Sequence, residues 1–431
     1  MATINPPAGN ASAVQTLRDA VRTNEEIHLA RGVWIIDDQI DLAGICGKIT
    51  ADPEAVIRLP ENTKREGFLI RNLSKPLSFE PKKVVSETTF KGQEAPFYII
   101  NQGNVTIRGA DISGIQFGHA VSIRNTKDGN ECNLVTIANC KIQARQVDER
   151  VNADERTTAI AVNGTLEFET GYSSPNRQYV ALHKPPRVVK PITNPILVNN
   201  DISGGYYAIE LSGVHGGFVQ YNNMKLNTRG ISMQNSSVSN EVRYNRIIDN
   251  ISAAIHCAYG AVGNLIEFND IESNRAEGEG LLQAYVGSSG NIFRGNRISC
   301  NTSGEIRPKY MLYCAVDSGS NVFEANYLNG SAKNALIGVE SDWSNAINLA
   351  YHRSYRASND DNNMAGGEMQ AVSICRNVFL DKMPGRAILL SSVNGKKLSD
   401  IYCYGNVIPS EMTNDFIGKE NISQVFNVKG F

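Results

Sequence analysis

The residues that could carry acid-base chemistry in this chain belong to strands of one repeated pattern in its central part. His256 could act as a general base near neutral pH, and Tyr313 or Tyr285 could act as the acid that returns a proton. Arg229 could neutralise the carboxylate of a uronate, which makes the proton on the neighbouring carbon easier to remove. Together these residue types predict β-elimination or epimerisation of a uronate sugar.

Glu210 offers a second kind of chemistry on the same strands. Its carboxyl group could act as the acid of a glycoside hydrolase or accept a sugar hydroxyl, and it could equally form an ion pair with Arg229 on the adjacent coil. A hydrolase also needs a second carboxyl group nearby, which a loop or a neighbouring subunit would have to supply. Glycoside hydrolysis is therefore the alternative to proton abstraction.

Further polar side chains on or near these strands are candidates for binding the substrate. Tyrosine rings can stack on sugar rings, although they also stabilise a sheet by stacking on one another. Glu210 and Glu340 are the carboxyl groups of the outward columns and lie five coils apart, so a calcium site is not expected and no cofactor is predicted. The substrate-binding candidates are Tyr207, Gln234, Gln283, Tyr310, Glu279 and Glu340, with Arg353 in a long loop.

A short phrase positions these residues: an asparagine, one spacer and an apolar residue. It has eight clear copies, and the first six asparagines are separated by 22, 23, 24, 27 and 30 residues. A period in the twenties with short apolar runs is the signature of a solenoid. The copies begin at Asn200, Asn222, Asn245, Asn269, Asn296, Asn326, Asn377 and Asn406, with a weaker copy at Ala110.

A second phrase, in which aliphatic residues alternate with other types, follows most of the asparagine phrases. Alternation with a period of two predicts a strand with one buried face. From the centre of this strand to the next asparagine the distance is 13 or 14 residues in five successive coils, whereas the distance forward from an asparagine varies. One fixed and one variable corner per coil are typical of a parallel β-helix. The central residues are Val121, Ile160, Ile209, Ile231, Ile255, Leu282, Leu312, Ile337 and Ile388.

Polar and aromatic residues at the outward positions are concentrated in the five coils between Tyr207 and Tyr313. Two long insertions, at 164–194 and 344–370, bracket these coils in the sequence. Long loops on a regular scaffold are often functional. The pattern predicts a polar trough along one strand stack, with the two loops as its end walls.

The N-terminal part adds an amphipathic helix over residues 12–22 and the segment IHLARGVWII at 27–36. The helix, this segment and the run of coils resemble the right-handed parallel β-helix proteins of the pectate lyase-like superfamily over roughly residues 25 to 410. The resemblance implies a carbohydrate-active protein whose substrate lies along one strand stack, and it names no substrate. The predicted fold is an all-β, right-handed, single-stranded parallel β-helix of about a dozen coils. A cap over 1–25, the β-helix over 26–410 and a terminal cap or tail over 411–431 are its predicted parts.

Composition narrows the possible partners. A net charge of −2 argues against sequence-independent binding to nucleic acid. The sequence contains no run of eighteen apolar residues, so a membrane-spanning helix is not predicted. No N-terminal signal peptide is recognisable, so the protein could remain in the cytoplasm or leave the cell by a route that needs no such signal. Eight cysteines without a CxxC pair predict free, buried thiols and no metal site.

These observations predict an enzyme that cleaves or remodels a polysaccharide or oligosaccharide. The preferred reaction is that of a metal-independent β-eliminating lyase or a C5-epimerase on a uronate-containing glycan. A glycoside hydrolase or glycosyl-transferring enzyme that uses Glu210 is one alternative, and a non-catalytic glycan-binding or fibre protein is another. The expected partner is a glycan, and the chain is expected to act as a monomer or a homotrimer.

Overall fold

The computed structural model describes residues 1–63, 65–90, 94–147, 156–167, 186–300, 306–316, 318–341, 369–380, 385–393, 395–423 and 425–428. The chain divides into two compact units. The first unit is Met1–Thr165 with Val188–Ile231, and the second unit is Leu166–Arg187 with Ser232–Phe431. None of the helices in the described part is long and apolar enough to cross a membrane.

One amphipathic helix, Val14–Thr23, lies at the start of the first unit. Its apolar face packs against the strands Glu26–Leu29 and Ile40–Asp41, so it covers apolar surface of the first coil. This is the predicted capping helix. A strand that the sequence pattern does not predict, Ala2–Ile4, precedes the helix and pairs in parallel with Glu26–Leu29. The buried residues of the helix are Val14, Leu17, Ala20 and Val21.

Each coil contributes one strand to each of three parallel sheets, named here the first, second and third sheets in the order in which the chain meets them. The first-sheet strand precedes the asparagine, the second-sheet strand follows it directly, and the third-sheet strand is the phrase of alternating aliphatic residues. Side chains alternate between the two faces of each strand, and the inward ones are buried in a central core. The predicted parallel β-helix is confirmed.

In the first unit the three sheets are built from short strands. The first-sheet strands are Ala2–Ile4, Glu26–Leu29, Lys48–Ala51, Leu77–Glu80, Val105–Arg108, Thr136–Ala138, Ile196–Val198 and Phe218–Gln220. The second-sheet strands are Gly32–Ile35, Ala55–Leu59, Lys83–Ser86, Asp111–Ile115, Lys141–Ala144, Asp201–Ser203 and Asn223–Lys225. The third-sheet strands are Ile40–Asp41, Phe68–Ile70, Phe97–Ile100, Gly118–Arg124, Thr157–Asn163 and Tyr207–Ser212.

The second unit repeats the arrangement, and the strand Arg229–Gln234 of the third sheet contains the division between the units. The first-sheet strands of the second unit are Glu241–Arg243, Leu265–Glu267, Ile292–Arg294, Val322–Glu324, Ser373–Cys375, Ile401–Tyr404 and Val425–Val428. Its second-sheet strands are Arg246–Ile248, Asp270–Ser273, Arg297–Cys300, Tyr327–Asn329 and Val378–Phe379. Its third-sheet strands are Ile255–Cys257, Gly280–Tyr285, Tyr310–Ala315, Ile337–Glu340, Gly385–Ser391 and Met412–Ile417.

A few short elements lie outside the three sheets. The strands Ile192–Thr193 and Met369–Gln370 pair in parallel with Val214–His215 and Leu398–Ser399. Beyond residue 410, where the sequence analysis places a terminal segment, the strands Met412–Ile417 and Val425–Val428 continue the third and first sheets. The remaining elements are the paired strands Thr165–Glu167 and Arg187–Lys190 and a 3₁₀ helix over Lys419–Asn421.

The repeated asparagines form hydrogen-bonded ladders at the corner between the first and second sheets. In the second unit, the main-chain N and Nδ2 of Asn269 both donate to Oδ1 of Asn296, at 3.0 and 2.9 Å. The same pair of bonds joins Asn200 to Asn222 in the first unit. Because each side chain satisfies buried main-chain groups of the neighbouring coil, apolar residues cannot replace it without cost. The second-unit ladder runs through Asn245, Asn269, Asn296, Asn326, Asn377 and Asn406.

A second asparagine ladder lies at the corner before the first sheet of the second unit. The main-chain N of Asn264 donates to Oδ1 of Asn291, and the main-chain N of Asn291 donates to Oδ1 of Asn321. The members are fully buried. This ladder is not part of the repeated phrase of asparagine, spacer and apolar residue, although its asparagines recur at the same period. Its members are Asn240, Asn264, Asn291 and Asn321.

The residue before several of the repeated asparagines adopts the left-handed backbone conformation, which turns the chain sharply between two sheets. Tyr244 and Phe268 have φ values of 57° and 54°, and Gly295 has a φ of 64°. The rings of Tyr244 and Phe268 are exposed and stack with their centroids 5.6 Å apart. A Cβ atom on Gly295 would lie 2.6 Å from the Phe268 ring, so glycine makes room for that ring.

Candidate functional site

His256, Gln283 and Tyr313 project from the outer face of the third sheet because they alternate with its buried aliphatic positions. Tyr310 lies two residues before the buried Leu312 and does not follow this alternation, but its ring stacks on that of Tyr313. In the second unit Ile255 pairs with Leu282, which places His256 beside Gln283. The next coil places Tyr313 on the other side of Gln283. The predicted register of these coils is confirmed, so the outward columns read from the sequence are columns of the structure.

His256 lies among polar and aromatic neighbours in the second unit. Its Nε2 atom is 2.8 Å from Oγ of Ser232, and either atom can donate, depending on the imidazole tautomer. The centroid of its ring lies 5.8 Å from that of Tyr285, with an angle of 49° between the ring planes. The imidazole is fully buried. This arrangement brings together a candidate base, a hydroxyl that orients it and a phenol that could supply a proton.

Two tyrosines and one glutamate form a second cluster farther along the same sheet. The rings of Tyr310 and Tyr313 stack with centroids 5.0 Å apart and planes 3° apart. The Tyr310 hydroxyl donates to Oε1 of Glu340 at 2.6 Å, and the Tyr313 hydroxyl donates to Oε2 at 2.8 Å. Gly338 leaves space for this packing, because a Cβ atom there would lie 2.4 Å from the Tyr310 ring.

The electrostatic environment of this cluster keeps both phenols protonated. Burial, reinforced by the Glu340 carboxylate, raises the pKa of Tyr310 and of Tyr313 well above its usual value. At neutral pH both hydroxyls are therefore hydrogen-bond donors. Asn334 donates from Nδ2 to the Tyr310 hydroxyl at 3.2 Å, which fixes that group from a second side.

The remaining candidates of the second unit are already engaged by other groups or are buried. Gln283 donates from Nε2 to the carbonyl oxygen of Gly280 at 2.6 Å. Glu279 forms an ion pair with Lys309, with 3.0 Å between the carboxylate and Nζ. Gln234 is buried. A ligand that binds Gln283 or Glu279 would therefore either add a hydrogen bond to these side chains or replace one of the contacts described here.

The first unit carries a different cluster on the outer face of its third sheet. The ring of Tyr206 packs edge-on against that of Tyr207, with centroids 4.7 Å apart. The guanidinium carbons of Arg156 and Arg229 lie 4.3 and 5.8 Å from the centroid of the Tyr206 ring. Cations over an aromatic face are attracted by its electron density. The cluster is therefore cationic and aromatic.

The pKa of Tyr207 reflects the charged groups around this cluster. Burial raises the pKa of Tyr207 well above its usual value; Tyr206 and the carboxylate of Glu210 also raise it, and Arg229 and Arg156 lower it. Glu210 itself is partly exposed and lies on the strand that pairs with Thr157–Asn163. The first unit thus brings together three of the predicted residues, namely Tyr207, Glu210 and Arg229.

The predicted site residues therefore fall into two groups, each within one unit. Arg353 lies outside the described residues. Sequence reasoning missed Arg156 and Tyr206, although each directly precedes a third-sheet strand, and it missed Lys309 and Asn334. The second-unit group contains Gln234, His256, Glu279, Gln283, Tyr285, Tyr310, Tyr313 and Glu340, and the first-unit group contains Tyr207, Glu210 and Arg229.

The second-unit group is more deeply buried than an open trough would be. His256 and Tyr310 are 0% exposed, Tyr313 is 1% exposed and Glu340 is 2% exposed. Mutual packing contributes to this burial, because the rings of Tyr310 and Tyr313 stack and both hydroxyls bond to Glu340. The second-unit group is therefore an enclosed polar cluster, whereas the residue pattern predicts an open trough. The pattern could not predict this burial, because periodicity indicates the direction of a side chain and not what surrounds it.

The described ranges contain no group of three or more His, Cys, Asp or Glu side chains that could hold a metal ion. The eight cysteines are free and buried, and two of them, Cys257 and Cys314, stand in the column of buried residues on the third sheet, where the sequence places them. Burial raises the pKa of the Cys132 and Cys140 thiols to about 11. Such thiols are protonated at neutral pH and are poor nucleophiles.

Comparisons with known proteins agree with this architecture. The family described as right handed beta helix region matches residues 188–298. A tailspike protein of E. coli bacteriophage HK620 superposes with a TM-score of 0.60 at 12% identity, covering 98% of this chain and 78% of the tailspike. The chain is a right-handed parallel β-helix protein.

Two further solved structures resemble this β-helix protein over its whole length. A PL6 alginate lyase in complex with a trisaccharide has a TM-score of 0.57 at 12% identity, with 99% of this chain and 88% of the lyase covered. The catalytic domain of a GH87 α-1,3-glucanase in complex with nigerose has a TM-score of 0.53 at 12% identity, with 100% and 68% covered. No curated protein sequence matches the chain significantly. At this identity the likeness shows the fold.

Proposed function

We propose that this β-helix protein is a carbohydrate-active enzyme that acts on a uronate-containing polysaccharide by proton abstraction, as a β-eliminating lyase or a C5-epimerase. The observation that carries the proposal is the contact of His256 with Ser232 and Tyr285 in the second unit. A base held by a hydroxyl and placed beside a phenol is the minimum set for moving a proton off and onto a sugar.

In the proposed elimination, His256 removes the proton on C5 of a uronate, and the electron pair forms the double bond between C4 and C5. The bond from C4 to the glycosidic oxygen breaks, and Tyr285 supplies the proton that the departing oxygen needs. Tyr285 suits this role better than Tyr313, because its ring lies 5.8 Å from that of His256 and the hydroxyl of Tyr313 donates to Glu340. In the proposed epimerisation the phenol would instead return its proton to C5 from the opposite face.

Ser232 has a positioning role in this scheme. Its hydroxyl contacts the Nε2 atom of His256 at 2.8 Å, which orients the plane of the imidazole. Because His256 is fully buried, the scheme also requires that the groups covering it move aside when the sugar binds. Burial has a chemical benefit once the sugar is in place, because exclusion of water strengthens each electrostatic contact with the developing charge.

Several neighbours in fold act on or bind sugars, which supports the general class. The alginate lyase was solved with a trisaccharide, the tailspike with a pentasaccharide, and the glucanase with nigerose. A hydrolase is the second candidate function, and the partly exposed carboxyl group of Glu210 beside Tyr207 favours it. A non-catalytic glycan-binding role is the third.

One assay separates these functions. The full chain is incubated with alginate, polygalacturonate and neutral glycans, while ultraviolet absorbance of unsaturated uronates and new reducing ends are both recorded. Epimerisation is followed separately by exchange of the C5 proton with deuterated water. We expect absorbance or exchange with an acidic glycan, and we expect reducing ends without absorbance only if the protein is a hydrolase.

Variants then test the site. His256→Ala should lower the rate by roughly 10²–10⁴-fold, as loss of a general base does. Tyr285→Phe should lower the rate while leaving substrate affinity close to that of the parent. His215→Ala, which alters a partly exposed histidine elsewhere in the chain, is the matched control. Full activity in His256→Ala would exclude the proposed mechanism.

A further inference from the structure

We propose that Arg156 and Arg229 of the first unit form a binding site for the anionic group of an acidic glycan, either a uronate carboxylate or a sulfate ester. This inference rests on the proposed action on an acidic polysaccharide. It concerns recognition by the first unit, whereas the proposed chemistry concerns an acid-base pair in the second unit. The two can therefore fail separately.

The geometry of the site is two cations on one aromatic ring. Tyr206 is buried in a small apolar cluster with Val147 and Tyr207. The guanidinium carbons of Arg156 and Arg229 lie 4.3 and 5.8 Å from the centroid of its ring. The ring attracts each cation, but it cannot neutralise either, because the attraction comes from a quadrupole and not from a net charge.

The two guanidinium groups also repel each other. Because both lie close to the same ring centre, they are separated by no more than roughly one Debye length, which is about 10 Å at 0.1 M salt. Glu210 contributes one negative charge to the neighbourhood, as its effect on the pKa of Tyr207 shows. Among the described residues, two guanidinium groups and at least one carboxylate therefore lie near this ring. An anion that contacts both guanidinium groups would reduce the repulsion.

Arg156 provides a second and independent observation. Its Nε atom is buried and has no hydrogen-bond partner in the described part of the chain. A buried donor without an acceptor is unfavourable, and charged donors are the most costly ones. A carboxylate or sulfate that contacts this guanidinium would supply the acceptor. The planar, forked arrangement of guanidinium donors matches the paired oxygens of both groups.

Equilibrium binding tests the site without depending on turnover. The background is the full chain carrying His256→Ala, so that no ligand is consumed. Isothermal titration calorimetry is performed with oligoalginate, oligogalacturonate, a sulfated oligosaccharide and a neutral cello-oligosaccharide of matched length. We expect anion-dependent binding that weakens as salt is added. The oligouronate and sulfated arms show which of the two anionic groups is the source.

The variant Arg156→Gln should weaken binding of the preferred anionic oligosaccharide about 10-fold or more, because it removes a charged hydrogen-bond donor. It should also flatten the salt dependence. Arg156→Lys keeps the charge and should restore part of the affinity, which excludes a general effect on folding. The matched control is Arg145→Gln, because Arg145 lies 5.1 Å from the centre of the Phe117 ring in the same unit.

The outcomes separate the two proposals. Equal binding by the parent and Arg156→Gln, or equal binding of anionic and neutral oligosaccharides, would overturn the anion site even if the wild-type chain forms unsaturated product. Selective binding that depends on Arg156 would support the site even if the wild-type chain shows no turnover. In that second case the proposed enzymatic function fails and the recognition site stands.

Discussion

The two units of this protein share one kind of coil and differ in what the outer face of the third sheet carries. In the first unit the face carries Arg156 and Arg229 around the ring of Tyr206. In the second unit it carries a buried imidazole, His256, and a buried carboxylate, Glu340, that accepts two phenols. The inward columns are apolar in both. The core therefore constrains one face of each strand and leaves the chemistry of the other face free to differ.

Substitutions in the asparagine ladders, which both units contain, should have the largest effect on stability. Asn296→Ala in the second unit and Asn222→Ala in the first remove buried side chains that bond to neighbouring coils. Each should lower the free energy of unfolding by about 3 kcal/mol, because several buried main-chain groups lose their partners. Urea denaturation measures the loss, with Asn329→Ala as an exposed control. A large difference between the two units would show that their corners are not equivalent.

The next prediction concerns the first unit alone. Burial lowers the pKa of His119 to about 3, whereas an unfolded histidine titrates near 6.5. The unfolded state therefore binds a proton between pH 6.5 and 3 that the folded state excludes. This contribution to stability is complete above pH 6.5 and decreases as the pH falls, by about 2 kcal/mol at pH 5.

Denaturation at a series of pH values, for the parent and for His119→Gln, checks this expectation. The variant should lose the decline between pH 6.5 and 5, and His215→Gln should retain it because His215 is partly exposed. An unchanged pH profile in His119→Gln would show that this histidine is not held in its neutral form by the fold.

The tyrosine cluster should make the stability of the second unit sensitive to high pH, whereas His119 makes that of the first unit sensitive to low pH. Tyr313→Phe or Tyr310→Phe leaves Glu340 with one donor fewer and should cost about 1.5 kcal/mol. Because both bonds end on one carboxylate, the double variant should cost an amount different from the sum. The raised pKa of these phenols also predicts that their contribution is complete below about pH 10 and is lost as the pH rises further.

Thermal and urea denaturation of the single and double variants provide the measurements. Tyr327→Phe, at an exposed tyrosine of the second sheet, should change little. If the losses of the two single variants add up and stability does not fall at high pH, then the two tyrosines act independently and this contrast with the first unit is wrong.

The smallest predicted effect tests the corner that the coils share. Gly295 and Gly263 have φ values of 64° and 63°, so alanine meets the same backbone strain at both positions. At Gly295 the added Cβ also meets the Phe268 ring, whereas at Gly263 nothing lies within 4 Å. Gly295→Ala should therefore be about 1 kcal/mol less stable than Gly263→Ala in denaturation experiments. Equal stabilities would mean that the stacked ring moves freely.

Local patterns in the sequence predict the repeated parts of the fold. The spacing of Asn245, Asn269 and Asn296 and the alternation around Ile255 and Leu282 are repeated signals, and the observed pairing follows them. Period-two alternation also identifies His256 and Gln283 as neighbours on one face. Strand register is predictable here because a slip by one residue would turn every buried side chain outward.

The surroundings of the candidate site are not predictable in the same way. Glu340 pairs in register with Ala315 but receives its hydrogen bonds from Tyr310 and Tyr313, and strand alternation does not predict such diagonal contacts. The contact of Arg156 with Tyr206 joins the residue before one strand to the residue before the next, where no alternation applies. Burial of His256 depends on what covers the sheet. Loops and long side chains shield a sheet face from solvent, and neither follows the repeat of the coils.

The asparagine ladder of the second unit has a kinetic consequence. Most of its rungs join residues 24 to 30 positions apart, so the contact order of the stack is low and growth from any formed coil requires only short loop closures. One rung differs, because Asn326 and Asn377 are 51 residues apart. Closing that larger loop costs roughly 0.5 kcal/mol more entropy than closing its neighbours. Growth of the stack is therefore expected to slow about twofold at this rung, and the chain tolerates its long insertion at little thermodynamic cost.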